Sequence, residues 1–348
     1  IGCSETNSRA GTAGTVSWEF LCSNKNFHSD RLSSLAMEQT YACDLAAIEL
    51  ARQRIRSHLH ETPVITCQAL DAMAGRQLFF KCENLQKVGA FKYRGATNAV
   101  LSLTDEEAQN GVVTHSSGNH AQAVALAART RGIAAHIVMP SNAPAIKRAA
   151  VEGYGGRVIR CEPTLEARET TAAEVIAETG ASFIHPYNDP HVIAGQGTTA
   201  LELLEQVSGL DAIITPVGGG GLLSGVSIVC RGLAPEITIL GAEPAGADDA
   251  ARSMEAGKLI PQEGPNTIAD GLLTSLGELT WPIIRDHVER IIRVDDDAIV
   301  SAMRLFWERA KLIIEPSAAT ALAAMLDAST TLEPGIERVG VVLTGGNV

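Results

Sequence analysis

"DAIITPVGGGGLLSGVSIVCRGL", Asp211 to Leu233, passes from an apolar run through four consecutive glycines into a second apolar run. Its first part has the composition of a buried strand, and from Gly221 onward the apolar residues recur at helical spacing. Glycine has the most backbone entropy to lose, so four in a row weaken local structure unless something requires them. A flexible linker mixes in polar residues and is not flanked by segments this hydrophobic. Backbone amides wrapped around a phosphate explain the run better. The spacing fits neither the GxGxxG fingerprint followed by an acidic residue nor a Walker loop, which needs Gly-Lys-Ser/Thr.

The same alternation extends in both directions. Strand-like runs "QLFFKCE", "GVVTH", "AAHIVMP", "RVIRCE", "ASFIHP", "EITILGAEP" and "RVGVVLT" take turns with helical patterns "NHAQAVALAART", "PAIKRAAVEGY", "TLEARETTAAEVIAETG" and "TTALELLEQV". Leu45 to His60 opens the series with a helical pattern that stops before Pro63. Strands and helices in this order imply βαβ units, and hence mainly parallel sheets covered on both faces. Ligands of open parallel sheets sit beyond the carboxyl ends of the strands.

Two further loops after strands are therefore of interest. "THSSGNH", Thr114 to His120, is rich in small residues and leads into a helix near Asn119, where free N–H groups suit a carboxylate or phosphate. Read without a ligand, it is a turn with a helix cap. "VVLTGGNV", Val341 to Val348, ends a strand on a hydroxyl and two glycines. A lysine stands out as well. In "VGAFKYRGATNAV" Lys92 lies between two aromatics. Such a lysine either runs its stem along the core or serves as a partly dry, nucleophilic amine.

With 348 residues the chain can bury a large core, and 45% hydrophobic with 20% charged residues is ordinary for a globular protein. The net charge of −12 leaves no basic stripe for nucleic acid. No apolar run approaches the roughly 18 residues of a membrane span. The seven cysteines, at 3, 22, 43, 67, 82, 161 and 230, show no metal spacing and are expected to be reduced thiols. Residues 1–37 are expected to be a disordered extension or non-native leader, with Met37 a natural start and a short tail missing after Val348.

Taken together, "KCENLQKVGAFKYRGA", "THSSGNHAQA", "VIAGQGT", "PVGGGGLLSG", "EPAGADD", "TIADG", "WPIIRD", "IEPSAA" and "LTGGN" resemble the fold type II pyridoxal-phosphate enzymes, the group of serine/threonine dehydratases and serine racemases. The resemblance runs from about residue 38 to the end and is strongest to eukaryotic-type racemases. It implies a tryptophan synthase β-like α/β fold with two parallel-sheet lobes and the cofactor in the cleft between them. The large lobe would comprise 38–110 and 188–348, and the small mobile one 111–187.

The resemblance also assigns roles. Lys92 would bond the cofactor covalently, with Phe91 against its ring. Gly218, Gly219, Gly220 and Gly221 would cradle the phosphate, Asn119 would bond the ring hydroxyl, and Thr344 would face the ring nitrogen. Ser116, Ser117, Gly118, Asn119 and His120 would hold the substrate carboxylate, with Arg168 near the entrance. As a plain helix residue Arg168 would instead pair with Glu166 or Glu169. Lys92 and Ser117 are the implied proton-handling pair, one on each face of the substrate.

Glu243, the Ala247 carbonyl and Asp249 match a Mg²⁺ or Ca²⁺ site, and hard oxygen ligands suit those ions. ATP is an implied effector, with Lys311 and Asn347 as contributors. The activity expected is racemization of L-serine with elimination to pyruvate and ammonia. L-threo-3-hydroxyaspartate dehydration or L-serine/L-threonine dehydration is the alternative. A cytoplasmic homodimer acting on a small amino acid, without nucleic-acid or membrane partners, completes the expectation.

Overall fold

The computed structural model of the chain describes residues 41–327 and 330–348. The extension expected over residues 1–37 lies outside the described residues. Ten strands lie within them: β1 (Val64–Ile65), β2 (Gln77–Cys82), β3 (Val112–His115), β4 (Ala135–Pro140), β5 (Arg157–Cys161), β6 (Ser182–Phe183), β7 (Ala212–Pro216), β8 (Thr238–Pro244), β9 (Arg290–Val294) and β10 (Arg338–Leu343). The helices between them are α1 (Leu45–Ile55), α2 (Gln68–Ala74), α3 (Lys92–Ser102), α4 (Asp105–Ala108), α5 (Asn119–Arg131), α6 (Ala145–Gly153) and α7 (Leu165–Thr179). They continue with α8 (Pro190–Gln206), α9 (Gly221–Leu233), α10 (Asp249–Ala256), α11 (Trp281–His287), α12 (Asp296–Ala310) and α13 (Pro316–Leu326).

The strands form two sheets. One has six strands in the order β1-β2-β10-β7-β8-β9, parallel except for β1. The other has four parallel strands in the order β5-β4-β3-β6. Successive strand residues point to opposite faces, so each sheet feeds two cores. Ile213 and Ile239 join the layer of α1, α8, α9 and α11, whereas Ala212, Ile214 and Leu240 join that of α12 and α13. Val112 and Ile137 pack toward α3 and α5, and Val113 and Val138 toward α7. Burial on both faces explains why these strands read as continuous apolar runs.

Within the six-stranded sheet β2, β10, β7 and β8 share one direction, so their carboxyl ends lie along one edge. The segments at and beyond those ends carry Lys92, Thr344, the glycines and the Glu243–Asp249 stretch, respectively. The sequence did not reveal β1 and β9. α8 also begins at Pro190, ahead of the expected Thr198, and takes in both glycines of "VIAGQGT". The reason is packing. A Cβ on Gly195 would stand 2.6 Å from the Gly95 Cα of α3, and one on Gly225 of α9 would stand 2.5 Å from the Gly197 nitrogen. α8 therefore touches α3 and α9 backbone to backbone.

Behind the first turn of α3 lies a buried ionic cluster. The Arg94 guanidinium donates to both oxygens of Glu83 (2.7 Å each) and both of Glu202 (2.7 Å each). Lys81 donates to Glu202 (2.7 Å), the Thr62 carbonyl (2.8 Å) and Gln206 (2.9 Å). Two cations and two carboxylates cancel, and every oxygen is bonded, which is how such burial is tolerated. Arg94→Ala should cost about 3–5 kcal/mol by leaving carboxylates uncompensated. Denaturant unfolding measures this, and a loss below about 1 kcal/mol would show that the cluster is not an anchor.

Candidate active site

The segment before α3 is zipped to the end of the chain. Phe91 N donates to the Thr344 carbonyl (3.0 Å) and Gly346 N to the Gly89 carbonyl (3.0 Å), with Ala90 and Gly345 paired antiparallel. This fixes Lys92, the first residue of α3, against the end of β10. Its ammonium donates to the Pro186 carbonyl (2.8 Å) and stands 5.1 Å from the centre of the Phe91 ring. Burial lowers its pKa from the ordinary 10.5 to about 8, against the opposing pull of Glu315. At pH 7 a useful fraction is thus already neutral amine.

Thr344 is buried, and its hydroxyl oxygen makes no hydrogen bond among the described residues. The glycines are buried at the head of α9, with Gly220 at φ 84°, a left-handed conformation that favours glycine. None of the N–H groups of Gly218 to Gly221 donates to an acceptor among the described residues. Buried backbone donors are almost always paired, so four together without acceptors mark the seat of an anion. The Tyr187 ring lies directly on this loop, so that a Cβ on Gly219 would overlap it.

"SSGNH" turns from β3 into α5. Ser116 Oγ accepts from Gly118 N (3.3 Å), and Gly118 precedes the helix with open space where a side chain would be. No bond to the Ser117 hydroxyl is found among the described residues. His120 Nε2 lies 3.1 Å from the Ile184 carbonyl, and Nδ1 is buried without a partner among the described residues. Burial, then the nearby Lys92 charge, pushes its pKa well below 6.5, so the ring is neutral. His185 is likewise lowered, to about 4, by burial and then by His115 and Lys92. Its Nδ1 accepts from Tyr187 N (3.2 Å) and Asn188 N (2.8 Å).

Asn119, the first residue of α5, is bonded at both ends of its amide. Nδ2 donates to both Glu315 oxygens (2.9 and 3.0 Å), and Oδ1 accepts from Asn347 Nδ2 (2.8 Å). Sequence reasoning overlooked Glu315, His185 and the Pro186 carbonyl. An acid before a proline at a helix start reads as a cap, yet the Glu315 carboxylate makes no capping bond to α13. Arg168 lies in the first turn of α7 near His115, whose charge balance it affects together with Glu169. Among the described residues it forms no ion pair with Glu166 or Glu169, and its Nε is buried without a partner.

Glu243, near the end of β8, and Asp249, the first residue of α10, form a separate cluster. Glu243 accepts from Ala250 N (3.0 Å) and Ala251 N (2.9 Å), and Asp249 Oδ2 accepts from Leu276 N (2.8 Å). Asp249 Oδ1 is buried and has no partner among the described residues. Burial raises Glu243 to about 8, with Asp249 adding to it, and raises Asp249 to about 6. No group of three or more His, Cys, Asp or Glu side chains able to hold a metal exists among the described residues.

The family model "Pyridoxal-phosphate dependent enzyme" matches residues 55–345. The chain belongs to that family. It is 52% identical over 316 residues to a serine racemase of Arabidopsis thaliana, covering 90% of this chain and 96% of that one. It is 51% identical over 298 residues to a beta-hydroxyaspartate dehydratase of Paracoccus denitrificans, covering 86% and 94%. The structure of maize serine racemase superposes with a TM-score of 0.87 at 52% identity, covering 88% of this chain and 94% of that one. The fold is fold type II, and pyridoxal phosphate is the cofactor. The residues present fit it: a desolvated amine, four unpaired N–H donors and an orphaned hydroxyl stand around one edge of the sheet. Among the described residues no helix is long and apolar enough to cross a membrane, and the five described cysteines are free thiols.

In the cofactor-free protein the Lys92 amine should lose its proton near pH 8. Acylation of lysines across a pH series, read peptide by peptide, should place its midpoint at least about one unit below the ordinary lysine value. Co-titration with the exposed lysines would contradict its desolvation.

Proposed function

We propose that the chain interconverts L- and D-serine and also eliminates water from serine to give pyruvate and ammonia. Bound at Lys92, pyridoxal phosphate supplies an electron-accepting ring that stabilises negative charge at the substrate α-carbon. The chain's own groups do the rest. Gly218, Gly219, Gly220 and Gly221 hold the phosphate by their N–H groups, Phe91 packs on the ring, and Asn119 donates to its hydroxyl. Thr344 sets a hydroxyl, not a carboxylate, at the ring nitrogen. That leaves the nitrogen less firmly protonated and the negative charge short-lived, which favours prompt reprotonation or loss of a β-group.

Ser116, Gly118, Asn119 and His120 grip the substrate carboxylate. The neutral Lys92 amine takes the α-proton on one face, and Ser117 returns a proton on the other. When the β-hydroxyl departs as water instead, the released enamine hydrolyses to pyruvate and ammonia. Ser117 is the observation that carries racemization over plain dehydration: its hydroxyl is free to act, while Ser116, Asn119 and His120 beside it are each engaged. The likeness to serine racemases supports the same reading.

A second reading is dehydration of L-threo-3-hydroxyaspartate. It draws on Arg168, whose buried Nε lacks a partner and is available to a second carboxylate, and on the likeness to a dehydratase of that name. Offering the purified enzyme L-serine and then L-threo-3-hydroxyaspartate separates the two. D-serine and pyruvate are expected from the first at higher kcat/KM than oxaloacetate from the second, and the reverse order would favour the second reading. Ser117→Ala should lower D-serine formation about 100-fold or more while pyruvate formation falls less than about tenfold. Equal losses would remove the special role of Ser117.

Further parts of the reading concern control and assembly. Glu243, the Ala247 carbonyl and Asp249 would hold Mg²⁺ or Ca²⁺, which would relieve the mutual repulsion of two buried carboxylates and occupy the free Asp249 oxygen. Lys311 and Asn347 would contribute to an ATP effector site. Residues 111–187 would close as the small lobe over substrate, against 38–110 and 188–348. A homodimer in the cytoplasm is the working assembly. Since even losing a ligand's outer partner costs 10–100-fold in metal affinity, Asp249→Ala should raise the half-maximal Mg²⁺ concentration at least about tenfold. An unchanged cation response would place the ion elsewhere.

A further inference from the structure

Glu315 is the buried acid closest in bonding to the proposed cofactor contacts, and no step above uses it. It precedes α13, is 4% exposed, and is turned away from its own helix. Its carboxylate accepts from Asn119 Nδ2 through both oxygens and from Asn347 N (3.3 Å). Gly345 leaves it room, since a Cβ there would stand 2.5 Å from Glu315 Oε1. Asn347 closes the ring by donating from its side chain to Asn119 Oδ1 and to the Val88 carbonyl, both at 2.8 Å.

This arrangement decides which end of the Asn119 amide is which. An unconstrained amide can flip and present either its oxygen or its nitrogen. A carboxylate accepts only, so Glu315 demands the nitrogen, and Asn347 Nδ2, a donor, demands the oxygen. One N–H shared between the two carboxylate oxygens accounts for the near-equal distances, which leaves the second N–H of Asn119 uncommitted. The ring hydroxyl of pyridoxal phosphate, ionised or nearly so, needs a donor at that place.

We infer that Glu315 is a positioning residue for the cofactor: it locks the Asn119 amide with its nitrogen as donor toward the ring hydroxyl. This rests on the reading of Asn119 as the ring-hydroxyl contact. The charged groups that act on Glu315 are Lys92 of α3, Asp270 in the loop after Thr267, and Lys147 of α6. Lys147 and Asp270 are themselves paired, so Lys92 is the unbalanced cation that faces it. Burial raises Glu315 to about 7, against the bonds from Asn119 and Asn347. Those two bonds thus help hold it ionised.

The test uses Glu315→Gln, Asn119→Ala and the double variant, each freed of cofactor and titrated with pyridoxal phosphate. Glutamine keeps the shape beside Gly345 but brings a donor that no longer dictates the amide's orientation. Glu315→Gln should leave the melting temperature of the cofactor-free protein near that of the parent. It should weaken cofactor binding about tenfold, as expected for losing a hydrogen bond in a charged network. The long-wavelength absorption band of the bound cofactor should change in the same sense as in Asn119→Ala. The double variant should be no weaker than Asn119→Ala alone, because both act through one contact.

If Asn119→Ala shifts binding and spectrum while Glu315→Gln shifts neither, the inference is overturned. Additive losses in the double variant overturn it too. If Asn119→Ala itself changes neither quantity, the reading of Asn119 is what fails, and Glu315 loses its role with it. Should Glu315→Gln not fold, Glu315→Asp replaces it, since it keeps the charge but falls a methylene short of Asn119 and should weaken binding in the same way.

Discussion

The antiparallel contact between residues 89–91 and 344–346 is the constraint on which the site depends. It joins the loop after β2 to the last residues after β10, two neighbouring strands whose ends alone would not fix either loop. Lys92 follows this contact by one residue and Thr344 lies within it, so amine and hydroxyl are held relative to each other by main chain. The contact also carries strain. Val88 has φ 56°, unusual for a β-branched residue, and such backbone costs about 1–3 kcal/mol. The Asn347 side chain bonded to the Val88 carbonyl helps to hold it there.

Charge is treated in opposite ways on the two sides of α3. Behind it, Arg94 and Lys81 meet Glu83 and Glu202 in a closed set with no capacity left over. In front, the polar groups are left incomplete. Among the described residues Lys92 has one carbonyl partner, His120 and His185 are kept neutral, the Thr344 hydroxyl is orphaned, and the glycine N–H groups point at no acceptor. Desolvated groups left unpaired are costly in a finished core. Their concentration on one sheet edge, with a closed network directly behind, is the imprint of a ligand that brings an anion and an aldehyde. The backing network keeps that incomplete front from relaxing.

Sequence patterns revealed most of the framework, and the reason is burial on both faces. Parallel strands such as β7 and β4 are apolar at nearly every position and stand out from their surroundings; β1 and β9 were missed although β6 is as short as β1 and β5 has the same Arg-x-x-Arg pattern as β9, so neither length nor charge accounts for the difference. The glycines, Lys92 and the "SSGNH" loop were legible because each breaks a local rule without local compensation. Glu315 was not, since an acid before proline at a helix start satisfies a local rule and its partners lie 196 and 32 residues away. The pairing of Arg94 was hidden for the same reason: nothing near it in sequence announces Glu202. At Arg168 the plainer alternative, a pairing with its neighbours Glu166 or Glu169, is not made among the described residues.

"VIAGQGT" is best understood as the part that sets the distance between Lys92 and the glycine run. Two glycines inside a helix lower its intrinsic stability by roughly 1 kcal/mol each relative to alanine. In return α8 meets α3, which begins at Lys92, and α9, which begins at the glycine run, backbone to backbone at Gly195 and Gly197. Side-chain contacts can repack and let helices slide by an ångström, but backbone contacts cannot. The same helix carries Glu202 to Arg94. One element therefore holds the amine and the glycine run at a fixed spacing and anchors the amine's helix against rotation. A shift at α8 would accordingly be felt at Lys92 and at the glycine run at once.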